Sequence, residues 1–294
     1  MSAQIADIIT RLQMMTQEGS KSDRRLAALV LADLDFASKA AISEIAARAE
    51  VSEPTVTRFC RNLGCEGVRD FKFWLARAIA IGGLYLMPAP LSRDVREQRI
   101  ANAITAGATQ AIERIAAGLD MATLMSVAEL LSASKQILCI GSGGTSSMMA
   151  TEMQNRLFRL GLSVVSQVDG QLQRMYAAVV TPETTVVSFS ISGYAKSIVD
   201  SVVLARQYGA RTVAITAPGS ALAKAAETVI PFQHMEDSNI YKPTSSRYAL
   251  LAIVDMLATA TAESRDGKVL ESLRRIKQSI NMLKVDDPRL PLGD

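Results

Sequence analysis

Residues 138–149 read Leu-Cys-Ile-Gly-Ser-Gly-Gly-Thr-Ser-Ser-Met-Met, and the fold turns on how this stretch is read. An apolar run stops at Gly141, a Gly/Ser/Thr cluster follows, and the chain then resumes in residues that suit a helix. A buried strand that ends in glycines and feeds a helix brings backbone N–H groups and the positive end of a helix dipole to one spot. Gly141, Gly143 and Gly144 allow the tight turn and the close approach of an anion, and Thr145, Ser146 and Ser147 add hydroxyl donors.

Working outward, the same strand-then-helix rhythm repeats. The apolar runs "QILCIG" (136–141), "LSVVSQV" (162–168), "TTVVSFS" (184–190), "RTVAITA" (211–217) and "ETVIPF" (227–232) alternate with helical stretches near 146–160, 170–180, 195–208 and 219–226. Such alternation predicts a doubly wound α/β domain, a parallel sheet with helices on both faces. In such sheets ligands sit at the carboxyl ends of the strands. A second hydroxyl cluster, "SISG" with Ser190, Ser192 and Gly193, follows the third run. It stands beside the first cluster if the first and third strands are neighbours. Two such loops make a neutral, donor-rich pocket suited to a phosphate ester. Two nucleotide motifs are missing: no Gly-Lys-Ser/Thr follows, and Ser146 occupies the last glycine place of G-x-G-x-x-G. Two more helices are expected near 244–264 and 267–284.

The amino-terminal part differs in kind. Residues 1–81 read as consecutive short helices, with Ser22 an expected N-cap. Residues 82–92, "GGLYLMPAPLS", break the pattern with two glycines and two prolines and are expected to be a linker. Residues 93–134 read as helix again and lead into the α/β part, so the domains are expected at 1–81 and 93–294. Within the first, residues 42–63 read "ISEIAARAEVSEPTVTRFCRNL". Ile42, Ile45, Ala46 and Ala49 recur at helical spacing, a break falls at Glu50-Val51, and Ser52 with Pro54 starts a new helix. Val56, Phe59, Cys60 and Leu63 then make one apolar face. Thr55, Thr57, Arg58, Arg61 and Asn62 make a polar, basic one. This is a helix-turn-helix pattern whose second helix fits a major groove. Glu50 is its one discordant residue, because Gly or Asn suits the turn better.

The bulk numbers exclude more than they assign. A formal charge of +3 neither demands nor forbids nucleic acid. Cys60, Cys65 and Cys139 are odd in number and no pair has Cys-x-x-Cys spacing, so neither a disulfide framework nor a zinc site is indicated. No apolar stretch is long enough for a membrane span, and the amino terminus does not read as a signal peptide, so a cytoplasmic location is expected.

Two resemblances follow from these motifs. Residues 136–232, with Gly141-Ser142-Gly143-Gly144-Thr145, Ser190-Ile191-Ser192-Gly193, Gly209-Ala210 and Ile215-Thr216, resemble a sugar isomerase (SIS) domain. The resemblance implies a five-stranded parallel sheet, a phosphosugar ligand and usually dimers. The family commonly has Thr two residues after the second-loop glycine, and here Ala195 stands there. "VSEPTVTRFCRNLGCEGVRDFKFWLA" (51–76) is similar to the amino-terminal domain of RpiR-family transcription regulators, in which a helix-turn-helix domain precedes an SIS domain. The similarity covers nearly the whole chain. The stretches "LQRM" (172–175), "EDSNIYKPTSSR" (236–247), "VDMLAT" (254–259) and "LRRIKQSI" (273–280) are most like the branch responding to 2-keto-3-deoxy-6-phosphogluconate. That branch has "ISHTGRT" as its second loop, whereas this chain has "FSISGYA", so the sugar end of the pocket is expected to differ.

The expectation is a homodimeric regulator, with a tetramer left open, that acts as a repressor of carbohydrate catabolism and needs no cofactor or metal. Its partners are operator DNA and a phosphorylated sugar or sugar acid. Ser142, Gly143, Gly144, Thr145, Ser146, Ser190, Ser192 and Gly193 are expected to hold the phosphate, and Tyr241, Lys242 and Arg247 to meet the sugar or carboxylate end. Ser52, Glu53, Thr55, Thr57, Arg58, Arg61 and Lys72 are expected at the DNA. The alternative is a sugar-phosphate isomerase with a helical appendage. Isomerisation needs a base and an acid near the sugar. The only histidine, His234, lies near Glu236 and Asp237 in what reads as a solvated loop. Glu152 reads as an exposed helical residue. A non-enzymatic role is therefore expected.

Overall fold

The computed structural model describes residues 7–86, 96–233, 243–265 and 267–281. The chain forms two compact units, the first mainly from residues before 93 and the second mainly from those after.

The first unit is helical: α1 (Ile8–Glu18), α2 (Lys21–Ala32), α3 (Leu34–Lys39), α4 (Ile42–Arg48), α5 (Glu53–Asn62) and α6 (Val68–Leu86). Leu12, Leu26, Ile45, Phe59, Phe71 and Leu75 fill its core, with Phe59 edge-on to Phe71 at 6.1 Å. Asp7 caps α1 through bonds from the Ile9 and Thr10 N–H groups. The cap of α2 is Ser20, whose hydroxyl accepts from the Asp23 N–H at 3.3 Å. The expected cap, Ser22, lies inside the helix, because the chain turns extended at Ser20 and is already helical at Lys21. Helix α6 runs through Gly82 and Gly83 to Leu86, past the expected boundary. A glycine inside a helix costs about 1 kcal/mol, which a long helix absorbs.

The second unit begins with α7 (Arg96–Gly118) and α8 (Met121–Ala133), sharply bent against each other where one helical stretch was expected. Asp120 makes the break: its carboxylate accepts from the Ala122 N–H at 3.0 Å and starts α8. Next come β1 (Gln136–Gly141), α9 (Gly144–Phe158), β2 (Val164–Gln167), α10 (Gly170–Ala177), β3 (Thr184–Ser190), α11 (Lys196–Gln207), β4 (Arg211–Thr216), α12 (Ala221–Ala225) and β5 (Thr228–Pro231). Helices α13 (Ser246–Glu263) and α14 (Lys268–Asn281) follow. The five strands are all parallel in the order β2-β1-β3-β4-β5, with Cys139 opposite Val187 and Val187 opposite Val213.

Two apolar layers flank the sheet. Residues of α8, α9 and α13 pack on one face, around Met149, Met153, Leu131 and Leu257. Residues of α10, α11 and α12 pack on the other, around Ile140, Ile198, Val202 and Leu222. Strand β3 is buried along its whole length, as expected of a central strand covered on both faces. The Arg265 guanidinium donates to the Ser132 carbonyl at 3.0 Å, tying the chain just past α13 to the end of α8. Since α8 ends where β1 begins, the head of α13 lies at the opposite, carboxyl edge of the sheet. Among the described residues no single helix is long and apolar enough to cross a membrane.

Candidate functional site

The chain leaves β1 toward β2 on one side and later returns to β3 on the other, so strand order reverses between β1 and β3. Such a switch point opens a crevice at the carboxyl ends of the strands. Both hydroxyl loops lie there, in the adjacency that the phosphate reading requires.

At the first loop, α9 folds directly over the end of β1. A Cβ on Gly141 would stand 2.1 Å from the Ser146 carbonyl oxygen, so only glycine fits. Gly143 holds φ +81° and begins α9 without a side chain to cap it. The first intrahelical bond runs from Ser147 N–H to the Gly143 carbonyl at 3.2 Å. The preceding N–H groups, those of Gly144, Thr145 and Ser146, therefore point out of the helix end. The hydroxyls of Ser142, Thr145 and Ser146 make no hydrogen bond to another described residue.

The second loop is pinned from behind. Gly193 holds φ +74°, and a Cβ there would meet the Ser220 hydroxyl at 2.0 Å. The Ser190 hydroxyl accepts from Gly193 N–H at 3.1 Å, and the Ser192 hydroxyl accepts from Tyr194 N–H at 3.3 Å. Each serine uses a lone pair to shape the loop. The buried Thr216 hydroxyl donates to the Ser190 carbonyl at 2.6 Å, which turns that acceptor away from the crevice. Ala195 begins α11 with no hydroxyl, so this loop has one donor fewer than a threonine would give.

Gln173, on α10, was not singled out by sequence. It is fully buried, and its amide donates to the Gly141 carbonyl at 2.8 Å and the Gln167 carbonyl at 3.1 Å. It thereby ties the ends of β1 and β2 together, and the Gly141 carbonyl also accepts from the Ser147 hydroxyl at 3.3 Å. Its Oε1 is buried with no partner. The sequence carried only a faint mark of it, as a member of the "LQRM" stretch.

Arg247 sits at the head of α13, with its guanidinium over the Tyr248 ring at 4.9 Å and donating to that phenol at 2.9 Å. Tyr241 and Lys242 lie outside the described residues, as do His234, Glu236 and Asp237. Glu152 is only partly exposed and pairs with Arg156 at 2.6 Å.

In the helical unit, α4, a tight turn and α5 form the helix-turn-helix. Glu50 holds φ +52°, the one positive φ outside glycine among the described residues. Its N–H bonds the Ala47 carbonyl, and Val51 N–H bonds that of Ala46. This is the Schellman pattern, with Glu50 where glycine is usual. Arg25 donates to both the Ala49 carbonyl and the Glu50 carboxylate, the latter at 2.9 Å. The end of α5 repeats the pattern with Gly64 at φ +88°, and the Arg11 guanidinium caps the Leu63 carbonyl at 2.7 Å.

Val56, Phe59, Cys60 and Leu63 of the α5 segment are buried, and Arg58 and Arg61 stand exposed on the opposite side with no ion pair to a described residue. Thr55 and Thr57 flank them at half-exposure, and Glu53 is exposed in the first turn. Ser52 occupies the N-cap place, but its hydroxyl bonds that of Thr55 at 2.9 Å instead of a backbone N–H. Lys72 stands apart from this set: on α6, its ammonium donates to the Ala40 carbonyl at the end of α3. Burial pushes the Cys60 thiol up to about 12 and the Cys65 thiol to about 11, and raises Cys139 further, so all three are held protonated near neutrality.

Comparison with known proteins agrees with this geometry. Residues 6–82 match the helix-turn-helix domain of the rpiR family, and residues 130–260 match the SIS domain. The HTH-type transcriptional regulator HexR of Escherichia coli is 33% identical over 292 residues, covering 98% of this chain and 99% of that protein. The protein of the same name from Pseudomonas aeruginosa is 32% identical, covering 93% and 95%. In fold, the chain is similar to the Vibrio vulnificus NanR protein complexed with ManNAc-6P, with a TM-score of 0.61, 23% identity, and coverage of 95% of this chain and 100% of that one.

Proposed function

The chain belongs to the RpiR family of transcription regulators, which join a helix-turn-helix domain to an SIS domain, and on that premise we propose that it represses carbohydrate-catabolism genes under the control of a phosphorylated sugar acid. The effector in this reading is 2-keto-3-deoxy-6-phosphogluconate, and the protein performs no chemistry on it. The observation that carries the reading is the switch-point crevice. Two loops at the ends of adjacent strands, each holding a glycine that admits no side chain, carry backbone and hydroxyl donors on the same edge of the sheet. The same chain holds two exposed arginines on a groove-sized helix.

The Gly144, Thr145 and Ser146 N–H groups and the Ser142, Thr145, Ser146, Ser190 and Ser192 hydroxyls bind the phosphate. Hydrogen bonds to a charged group are worth about 1.5–3 kcal/mol each when water is excluded. In the helix-turn-helix, Thr55, Thr57, Arg58 and Arg61 meet base edges and phosphates, and Ser52 and Glu53 stand at the helix start. Two such domains in a homodimer read half-sites about 34 Å apart. Effector binding alters their spacing, and a differential of only ~1–3 kcal/mol changes operator occupancy several-fold or more.

The test is a thermal-shift screen of the protein against phosphorylated sugars and sugar acids, repeated with DNA from upstream of its own gene. A shift with phosphorylated acids, and an altered shift when DNA is present, are expected. Turnover between aldose and ketose phosphates by the purified protein would contradict the non-enzymatic reading.

A further inference from the structure

A cavity of about 510 Å³ opens in the second unit at the carboxyl edge of the sheet, within the size range of small-molecule sites. Arg114 and Ile115 of α7 form one wall, Pro218 and Phe232 beyond β4 and β5 form the floor, and Ser245 and Ser246 at the head of α13 form the other wall. None of its lining residues belongs to the two crevice loops. Pro218 is in the same short loop as Ser220, whose hydroxyl packs against Gly193 of the second crevice loop. The ends of β3 and β5 are two strand spacings apart, about 10 Å. A six-carbon acid phosphorylated at its far end spans a distance of that order when extended.

The two places differ in chemistry. The crevice offers neutral donors. The cavity offers a guanidinium, hydroxyls and the head of an 18-residue helix whose N-cap, Ser245, makes no side-chain capping bond. Ile115 and Phe232 give it an apolar lining for a carbon chain. Arg247, the cation expected at the sugar or carboxylate end, lies at the head of the same helix and contacts Tyr248.

We propose that this cavity receives the carboxylate of a phosphorylated sugar acid whose phosphate lies in the crevice, and that Arg114 distinguishes such an acid from a neutral sugar phosphate. The proposal rests on reading the crevice as the phosphate site. A planar carboxylate matches the two-pronged donor face of a guanidinium, and the head of α13 adds a favourable dipole.

The test is calorimetric titration of the full-length protein with inorganic phosphate, fructose 6-phosphate and 2-keto-3-deoxy-6-phosphogluconate. The wild type should bind the acid at least about tenfold more tightly than fructose 6-phosphate, the difference one charge-assisted contact makes. Arg114→Met should erase that gap by weakening the acid alone, Arg114→Lys should restore part of it, and Ser245→Ala should narrow it. Arg114 is exposed, so these side-chain changes leave the core intact. A gap that survives in Arg114→Met, or one absent from the wild type, overturns the proposal while leaving the crevice reading standing. If none of the three phosphates binds the wild type, the crevice reading falls and the proposal falls with it.

Discussion

The switch-point crevice and the helix-turn-helix both depend on a residue in the left-handed backbone region, and they solve that need in opposite ways. At Gly193 the conformation is allowed because there is no Cβ, and the space a Cβ would take is filled by the Ser220 hydroxyl. At Glu50 a Cβ is present, and the turn is held by two Schellman bonds and by Arg25, which grips the Glu50 carboxylate and the carbonyl before it. The first device is steric and indifferent to salt. The second is partly electrostatic, with 47% and 79% of the two side chains exposed, so it is screened by salt. A ligand loop has to leave its donors idle and rigid. A recognition helix has only to be presented at the right angle, and an adjustable clasp suffices.

The largest effect that would break this contrast is expected at Gly141. Gly141→Ala drives a methyl into the Ser146 carbonyl, which moves the first turn of α9 and should reduce effector affinity at least about 100-fold, the scale of losing two charge-assisted bonds. Calorimetry with the effector checks this, and operator affinity of the ligand-free protein should persist. Next come Arg58→Ala and Arg61→Ala, each expected to cost about 1–3 kcal/mol of operator binding and to lower the salt slope where the lost contact is to phosphate. Electrophoretic shifts at several salt concentrations separate these outcomes.

A smaller effect is expected for Gln173→Met, which removes the donor from the Gly141 and Gln167 carbonyls but keeps the side-chain length. Effector affinity should fall about tenfold, since the Gln167 and Gly141 carbonyls each lose a donor and Gly141 keeps only the longer bond from the Ser147 hydroxyl, at 3.3 Å. The smallest is Glu50→Gly. It relieves about 1 kcal/mol of left-handed strain and loses an exposed pair worth about 0–1 kcal/mol. The melting temperature should hardly move at moderate salt. Its dependence on salt should decrease, and an unchanged dependence would mean that Arg25 contributes nothing to the turn.

Sequence reading went furthest where burial is uniform. The runs 136–141 and 184–190 coincide with β1 and β3, because strands covered on both faces are written as continuous apolar segments. The edge strands β2 and β5 are shorter than the runs that predicted them, since their ends are not sealed by neighbours. The α7–α8 bend was hidden because the helical pattern continues past Gly118, and one aspartate side chain makes the break. At the crevice the glycines and hydroxyls were legible from residue type and order. Gln173 and Thr216 fell within stretches that carried the family resemblance, but their role in setting the loops from behind was not legible, because their partners lie far away in the chain. Lys72 shows what residue type does not carry: a cation near a recognition helix reads as a DNA contact, and the bond of its ammonium to the Ala40 carbonyl, 32 residues away, has no mark in the sequence.

The central claim is that a filled crevice is reported by the groove-reading helix. The measurement that tests it most directly is operator affinity of the full-length protein with and without saturating 2-keto-3-deoxy-6-phosphogluconate, for the wild type and for a Thr145→Ala/Ser190→Ala variant. The wild type should change operator affinity at least about fivefold, the lower range of allosteric coupling, and the variant should bind operator normally but show no such change. An operator affinity in the wild type that is blind to the effector, or an undiminished response in the variant, would contradict the account.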